Sequence, residues 1–272
     1  MDKYNSIYSD SFEFLHTLTQ HPNQSDFFLH THDGCELYYL MSGKGIFHIE
    51  GNDYCLKPGD ILIMDNRESH YIELDCSHPY ERFVVHFKKD YIRKIDTDGE
   101  LLKIFEKRAP GENNLFRKEH FEGTLYLTLI NNIISGIKSS KIQAETNFFA
   151  LLNELLIASS NVNCDNVSMK NSFTSKIISY ILENLEKQFT LDDICAEFYI
   201  SKSQLCRMFK KTMGSTIWNY VVAKRISKAK EMIDSGNPPS QVYLQCGFLD
   251  YPNFYRAYKK FYGHSPTNRT RG

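Results

Sequence analysis

No apolar run in this 272-residue chain is long enough to cross a bilayer, since a spanning helix needs about twenty consecutive apolar residues. The opening Met1-Asp2-Lys3-Tyr4-Asn5 has neither the basic start nor the apolar stretch of a secretory signal. Cysteine is present but unorganised. The seven thiols, Cys35, Cys55, Cys76, Cys164, Cys195, Cys206 and Cys246, are odd in number and lack metal-ligand spacing. They read as reduced cysteines, so the expectation is a cytoplasmic protein with no membrane partner.

What the chain has is length for two domains and a polarity of charge. The net charge is only −1. Yet residues 172–272 carry 15 Lys and Arg against 8 Asp and Glu, while residues 1–171 carry 17 against 25. A basic C-terminal block on an acidic body is the footprint of a nucleic-acid-binding module, although a solvated Lys-rich helix face would produce the same balance. A repeat tips the reading. Leu205-Cys206-Arg207-Met208-Phe209-Lys210-Lys211 with Gly214 recurs as Phe254-Tyr255-Arg256-Ala257-Tyr258-Lys259-Lys260 with Gly263. Each copy puts apolar or aromatic residues at i and i+4 and an Arg and a Lys pair elsewhere on the turn, which predicts a helix with one buried stripe and one basic face.

The first ninety or so residues read as short strands punctuated by Gly, Pro and Asn. Cys35 to Leu40 ends at Gly43-Lys44-Gly45, and Ile46 to Ile49 runs into Glu50-Gly51-Asn52-Asp53. Tyr54-Cys55-Leu56 meets Lys57-Pro58-Gly59-Asp60, and Ile61 to Met64 and Phe83 to Phe87 follow. From about residue 115 the period becomes helical. Leu125, Leu129 and Ile133 share one face, as do Leu151, Leu152, Leu155 and Leu156, and these helices could cover the barrel or pair with a second subunit. The polar stretch 159–172 reads as an interdomain linker.

In the last hundred residues the caps are explicit. Thr190 with Asp193 and Ser201 with Gln204 have capping-box spacing, around a turn at Tyr199-Ile200. Leu191, Ile194, Cys195 and Phe198 form one stripe. A second unit runs from Ser240 to Gly263, with Gly247-Phe248 at its turn, Asp250 as a cap and Pro252 in the first helical turn. Two short helices with a basic second member describe a helix-turn-helix, here twice. Between them Ile217, Val221, Val222, Ile226, Ala229 and Ile233 mark a connecting helix, ended by Gly236 and Pro238-Pro239. At 1.5 Å per residue it spans roughly 27 Å, against about 34 Å between successive major-groove faces.

These residues resemble the DNA-binding domain of the AraC/XylS family of bacterial transcription regulators. The resemblance rests on Ser201-x3-Leu205-x-Arg207-x-Phe209-Lys210-Lys211-x2-Gly214, Arg225-Ile226-x2-Ala229, Gly247-Phe248-x-Asp250-x3-Phe254-x-Arg256 and Lys260-x2-Gly263-x-Ser265-Pro266. It implies base-reading positions at Ser203, Cys206 and Arg207 in the first unit and at Tyr251, Tyr255 and Arg256 in the second. An arginine can grip guanine in a bidentate way, whereas Lys210, Lys211, Lys259 and Lys260 suit phosphate contacts. The chain departs from the family at Tyr243, where Ala is usual, at Pro252, and at Arg269, where Tyr is frequent. The bulk of Tyr243 predicts an altered angle or weaker binding in the second unit.

His30-x-His32-x3-Glu36-x6-Gly43, followed by Pro58-Gly59-Asp60 and His70, is similar to the cupin β-barrel that many AraC-type regulators carry as a sensor. In metal-binding cupins the positions matching His30, His32, Glu36 and His70 hold a divalent ion. Strand alternation places His30, His32, Glu36 and Tyr38 on one face. Two readings stay open: a metal site of the kind used by Zn, Fe or Mn, or an organic-ligand pocket in which these groups bond the ligand or each other. The resemblance favours the second, without a cofactor. The pocket candidates are His30, His32, Glu36, Tyr38, Phe47, His70 and His86. Carboxylate and imidazole groups beside aromatic faces suit a sugar, and the resemblance also implies a carbohydrate.

The sequence therefore predicts an α+β multidomain protein. A cupin-like antiparallel β-barrel with helices covers 1–114, a helical dimerisation segment 115–158 and a linker 159–172. An all-α domain with two helix-turn-helix units covers 173–272. The expected partners are double-stranded DNA, a small-molecule effector, RNA polymerase and a second copy of the chain. The expected role is regulation, not catalysis. The rivals are a metal-dependent cupin isomerase or dioxygenase with an accessory DNA domain, and a ligand-independent regulator with a packed barrel.

Overall fold

The structure, a computed structural model, describes residues 3–161 and 173–267. The chain divides into two compact units, Met1–Met169 and Lys170–Gly272. Among the described residues no helix is long and apolar enough to cross a membrane, and the six described cysteines are free thiols. Cys164, Arg269 and residues 162–172 of the expected linker lie outside the described residues.

The N-terminal unit is built on β1 (Lys3–Tyr8), β2 (Phe12–Thr19), β3 (Cys35–Ser42), β4 (Gly45–Ile49), β5 (Asn52–Leu56), β6 (Ile61–Met64), β7 (His70–Leu74) and β8 (Tyr80–Phe87). Two short helices follow, α1 (Lys89–Arg93) and α2 (Lys103–Glu106), and then β9 (Leu115–Phe116). The strands form an antiparallel six-stranded sheet in the order β1-β2-β8-β3-β6-β9 and a three-stranded sheet in the order β5-β4-β7. The β4–β5 turn is two residues long, and both Glu50 (φ 50°) and Gly51 (φ 79°) take left-handed backbone, as a type I′ hairpin requires.

Strand alternation assigns each face of the larger sheet to a different core. Tyr38, Leu40, Tyr80 and Val84 point toward the smaller sheet, where they meet Phe47, Ile49, Tyr54 and Ile72. Leu37, Phe83, Val85 and Phe87 point the other way, against α3 (Leu125–Ser139) and α4 (Lys141–Ala158). The stripe Leu129, Ile133, Leu151, Leu152 and Leu155 is buried in that second core. This corrects the basis for expecting a dimer through residues 115–158, because these apolar faces are covered by the protein's own sheet. The expected helical start at 115 is also corrected. Leu115 and Phe116 pair with β6, a 3-10 turn follows at Lys118–His120, and α-helix begins only at Leu125, itself 51% exposed. Residues 159–161 of the expected linker form a 3-10 turn after α4, and Asn161 donates to the His120 carbonyl at 3.1 Å.

The C-terminal unit contains α5 (Phe173–Glu183), α6 (Leu191–Phe198), α7 (Lys202–Met213), α8 (Ile217–Asp234), α9 (Pro239–Gln245) and α10 (Tyr251–Tyr262). Its helix starts follow the sequence signals. Thr190 and Ser201 both close capping boxes, and Asp250 accepts from the Asn253 amide at 2.7 Å. Tyr199 takes left-handed backbone (φ 53°) and ends α6 at the turn. Two separate cores share one helix. Ile217, Tyr220 and Val221 of α8 pack with α5, α6 and α7, whereas Ile226, Ala229 and Ile233 pack with α9 and α10.

Candidate functional site

Between the two sheets lies a cavity of about 360 Å³, within the range of small-molecule sites. Six of the seven expected pocket residues line it: His30, His32, Glu36, Tyr38, Phe47 and His86. The seventh, His70, is buried beside them, its ring 4.6 Å from His30 and 5.8 Å from Phe47. Backbone pairing holds this group. The His30 amide donates to the His70 carbonyl at 3.1 Å, and the His70 amide to the His30 carbonyl at 3.0 Å. Sequence reading missed other lining residues, notably Tyr80, Arg82 and Phe27. Tyr80 and Arg82 lie on the same alternation of β8 that carries His86. Phe27 sits in a loop, where no periodicity could flag it.

Four of these residues, His30, His32, Glu36 and His70, bring one ligand atom each to within 4.8 Å of one another. The other ring nitrogen of His70 lies 3.0 Å from the Glu68 carbonyl, and Nδ1 of His30 lies 2.7 Å from the Phe28 carbonyl. A carbonyl only accepts, so in the neutral rings Nδ1 carries the proton and Nε2 keeps its lone pair. Nε2 of His32 and of His70 approach Oε2 of Glu36 at 2.7 and 3.1 Å. None of these three buried atoms makes an aligned hydrogen bond. The His70 lone pair facing a carboxylate without a shared proton fits a cation between them, and an N/O donor set of this type suits Zn, Fe or Mn.

Burial, helped by the neighbouring His70 and His32, pulls His30 down to about 4, so it is neutral at ordinary pH. Burial pushes the Glu36 carboxyl upward, but His32 and His70 outweigh it and hold Glu36 well below its usual range. His86 behaves differently. Burial favours its neutral form, yet hydrogen bonds and charge from Glu13 and Glu36 raise it to about 9. Its protonated form is therefore favoured beside the two carboxylates. At the other end, Tyr38 and Tyr80 share a hydroxyl–hydroxyl hydrogen bond of 2.6 Å.

In the C-terminal unit Ser203, Cys206, Arg207, Lys210 and Lys211 of α7 are all exposed. On α10, Arg256, Lys259 and Lys260 are exposed, while Tyr251 and Tyr255 are half-buried. Arg207 and the four lysines form no ion pair among the described residues. Arg256 donates to the side chain of Asn253, one turn earlier. Tyr243 is half-buried and packs edge-on to Tyr251 at 5.6 Å, so its bulk is taken up within an aromatic group on the second unit.

Arg225 of α8 is 7% exposed and serves packing. It donates to the carbonyls of Leu185 at 2.9 Å and Lys187 at 2.8 Å. Gly247 (φ 81°) sits against it; a Cβ there would lie 2.6 Å from the Leu185 oxygen and 2.8 Å from the guanidinium carbon. Gln188 closes the contact by donating to the Gly247 carbonyl at 2.8 Å. The turn of the second unit is thereby locked to the loop after α5. The sequence marks Arg225 and Gly247 only as motif positions, because their contact joins residues far apart in the chain.

Two family models match the chain: an AraC-like ligand binding domain over residues 15–105 and a helix-turn-helix domain over residues 194–271. Among relatives, the probable transcriptional regulator LumQ of Photobacterium leiognathi is 27% identical over 88% of this chain and 90% of its own. The arabinose operon regulatory protein of Salmonella typhimurium is 25% identical over 89% of this chain and 86% of its own. Of solved structures, wild-type ToxT of Vibrio cholerae with an unsaturated fatty acid bound is 13% identical, covers 95% of this chain and 94% of its own, and has a TM-score of 0.42.

Proposed function

This chain belongs to the AraC family of transcription regulators, and we propose that a small molecule, a carbohydrate, controls it from the barrel cavity. Residues 1–114 would sense, 115–158 pair two copies, 159–172 link and 173–272 bind DNA in the cytoplasm. The observation that carries the reading is a cavity lined by imidazole, carboxylate and aromatic groups, in a chain that also presents two basic helices. Sugar hydroxyls need paired donors and acceptors beside apolar ring faces, and this lining supplies both. The arabinose operon relative adds support for a sugar. Filling the cavity would shift the chain between states of different affinity for duplex DNA or for RNA polymerase.

On the DNA side, Arg207 and Arg256, with Ser203, Cys206, Tyr251 and Tyr255, would read bases. Lys210, Lys211, Lys259 and Lys260 would hold phosphates. A second copy would dock on the outer surface of α3 and α4, where Ile142 and Ile157 are 76% and 51% exposed. Sedimentation of a monomer at micromolar concentration removes that part. For the whole reading, selection from a random duplex pool should enrich one motif, and a sugar that raises the melting temperature should change affinity for it. A chain that enriches no duplex sequence ends the reading. One that enriches a motif but responds to no sugar reduces it to a ligand-independent regulator.

The unpartnered atoms around Glu36 favour a second reading, in which His30, His32, Glu36 and His70 hold a divalent ion. Bound there, the ion would supply a Lewis acid beside the cavity. Regulation rather than catalysis remains the inference, since the relatives are regulators by name. Metal analysis of the purified chain tests the ion. Stoichiometric metal, lost in His32→Ala and Glu36→Ala together, supports it, and metal-free protein of full thermal stability ends it.

A further inference from the structure

Among the five arginines of the N-terminal unit, four meet a carboxylate: Arg67 with Asp65, Arg93 with Glu106, Arg108 with Glu68, and Arg117 with Asp60. Arg82 is the exception. No carboxylate lies within ion-pair distance of it among the described residues, although it lines the cavity. Its guanidinium carbon stands 4.9 Å from the ring centre of Tyr80 and 5.4 Å from that of Phe27, and the two rings meet edge to face. Its Nη1 is buried and makes no hydrogen bond. Directly across on β2, in register with Arg82, stands Thr17. The Thr17 hydroxyl is also buried and without a hydrogen-bond partner.

Buried polar atoms are nearly always satisfied, and a guanidinium cannot shed its charge by deprotonating. Two adjacent unmet groups, one cationic, therefore point to something that arrives. Two carboxylates line the cavity: Glu36 lies beside His32, His70 and His86, and Asp26 is exposed; neither is within ion-pair distance of Arg82. A neutral ligand would leave the Arg82 charge uncompensated. An oxyanion would pair with it in the bidentate geometry that guanidinium favours, while the rings of Phe27 and Tyr80 hold the guanidinium in place.

We propose that the effector carries an oxyanion, a carboxylate or a phosphate, and that Arg82 is the residue that binds it. The inference rests on the reading of the cavity as an effector site and narrows its ligand from sugars in general to acidic or phosphorylated ones. Thr17 supplies a hydroxyl donor beside the anion, and the His30–His86 end of the cavity is left for the remainder of the molecule.

The test uses the full chain and matched probes at millimolar concentration and constant ionic strength: galacturonate against galactose, glucose 6-phosphate against glucose, and inorganic phosphate. At least one anion should raise the melting temperature above its neutral counterpart. A larger shift with galacturonate assigns a carboxylate; a larger shift with glucose 6-phosphate or inorganic phosphate assigns a phosphate. By titration, Arg82→Gln should bind the preferred anion about ten- to hundredfold more weakly, the range for losing a charged hydrogen-bond partner, and Arg82→Lys should retain part of the affinity. Without ligand, Arg82→Gln should melt no lower than the parent chain, because it removes an uncompensated charge, so the loss is not one of folding. Neutral sugars that stabilise as well as the anions overturn the proposal and leave the sensor reading standing. So does an anion preference that survives Arg82→Gln. If no probe of either kind stabilises the chain, both fall.

Discussion

Arg108 near the barrel and Arg207 on α7 carry the same guanidinium and put it to different uses. Arg108 is buried against Glu68, and it also donates to the carbonyls of Ile104, Glu112 and Ile63. Glu68 in turn accepts from the Asp65 amide at 2.7 Å and from Asn114, so the pair stitches residues 108–114 to the end of β6. Arg207 is exposed and makes no such bond among the described residues. Several carboxylates of the N-terminal unit are turned inward and matched by a cation, as at Asp60, Asp65 and Glu68. On α7 and α10 charge is turned outward and left open. Inward, matched charge fixes a shape around a small cavity. Outward, open charge is what binding a long polyanion would need, since it would displace that polymer's counterions.

The largest effect that would break this contrast belongs to the matched pair. Glu68→Ala leaves a buried guanidinium unpaired and should cost roughly 3–5 kcal/mol of stability in a denaturant titration. A loss under 1 kcal/mol, the ordinary size for a surface pair, would mean that the pair is not buried in solution. Its pH dependence has a definite sign. Burial alone would raise the Glu68 carboxyl, but Arg108 outweighs it and holds it below its ordinary range in the folded chain. The stabilisation is therefore present above the unfolded carboxyl's pKa and is lost as pH falls through the lowered folded value. Glu68→Gln should lack that part of the acid dependence.

Next in size is Arg207→Ala. It should relax preference at one base position by about 1–3 kcal/mol while leaving the melting temperature unchanged; measured affinities across a set of single-base operator variants decide it. The smallest effect is Lys211→Ala, which should weaken all duplexes alike and reduce the slope of log affinity against log salt by about 1. If Lys211→Ala alters sequence preference, or Arg207→Ala alters only the salt slope, the division between base-reading and phosphate-holding groups is wrong.

Legibility in the sequence follows the range of the interactions. The caps at Thr190, Ser201 and Asp250 were readable because each is closed within three residues. Glu36 and Tyr38 share a face of β3 by local alternation, but His30 and His32 precede the strand, and His30 is held by a bridge to His70 that alternation does not reveal. Arg82 was not readable either, since a lone arginine on a strand looks solvent-facing until β8 is placed between β2 and β3. The stripes of α3 and α4 were seen but their partner was not, because an apolar helix face packs equally well on a sheet or on a second copy. The Glu68–Arg108 pair joins positions that no periodicity connects.

One consequence of the Arg225–Gly247 lock reaches beyond the protein. With a continuous α8 and the second turn hydrogen-bonded to the loop after α5, the spacing between α7 and α10, the proposed recognition helices, would be fixed. An operator for this chain would have to keep its paired motifs in fixed phase. Inserting a single base pair between them should abolish simultaneous engagement rather than weaken it by degrees.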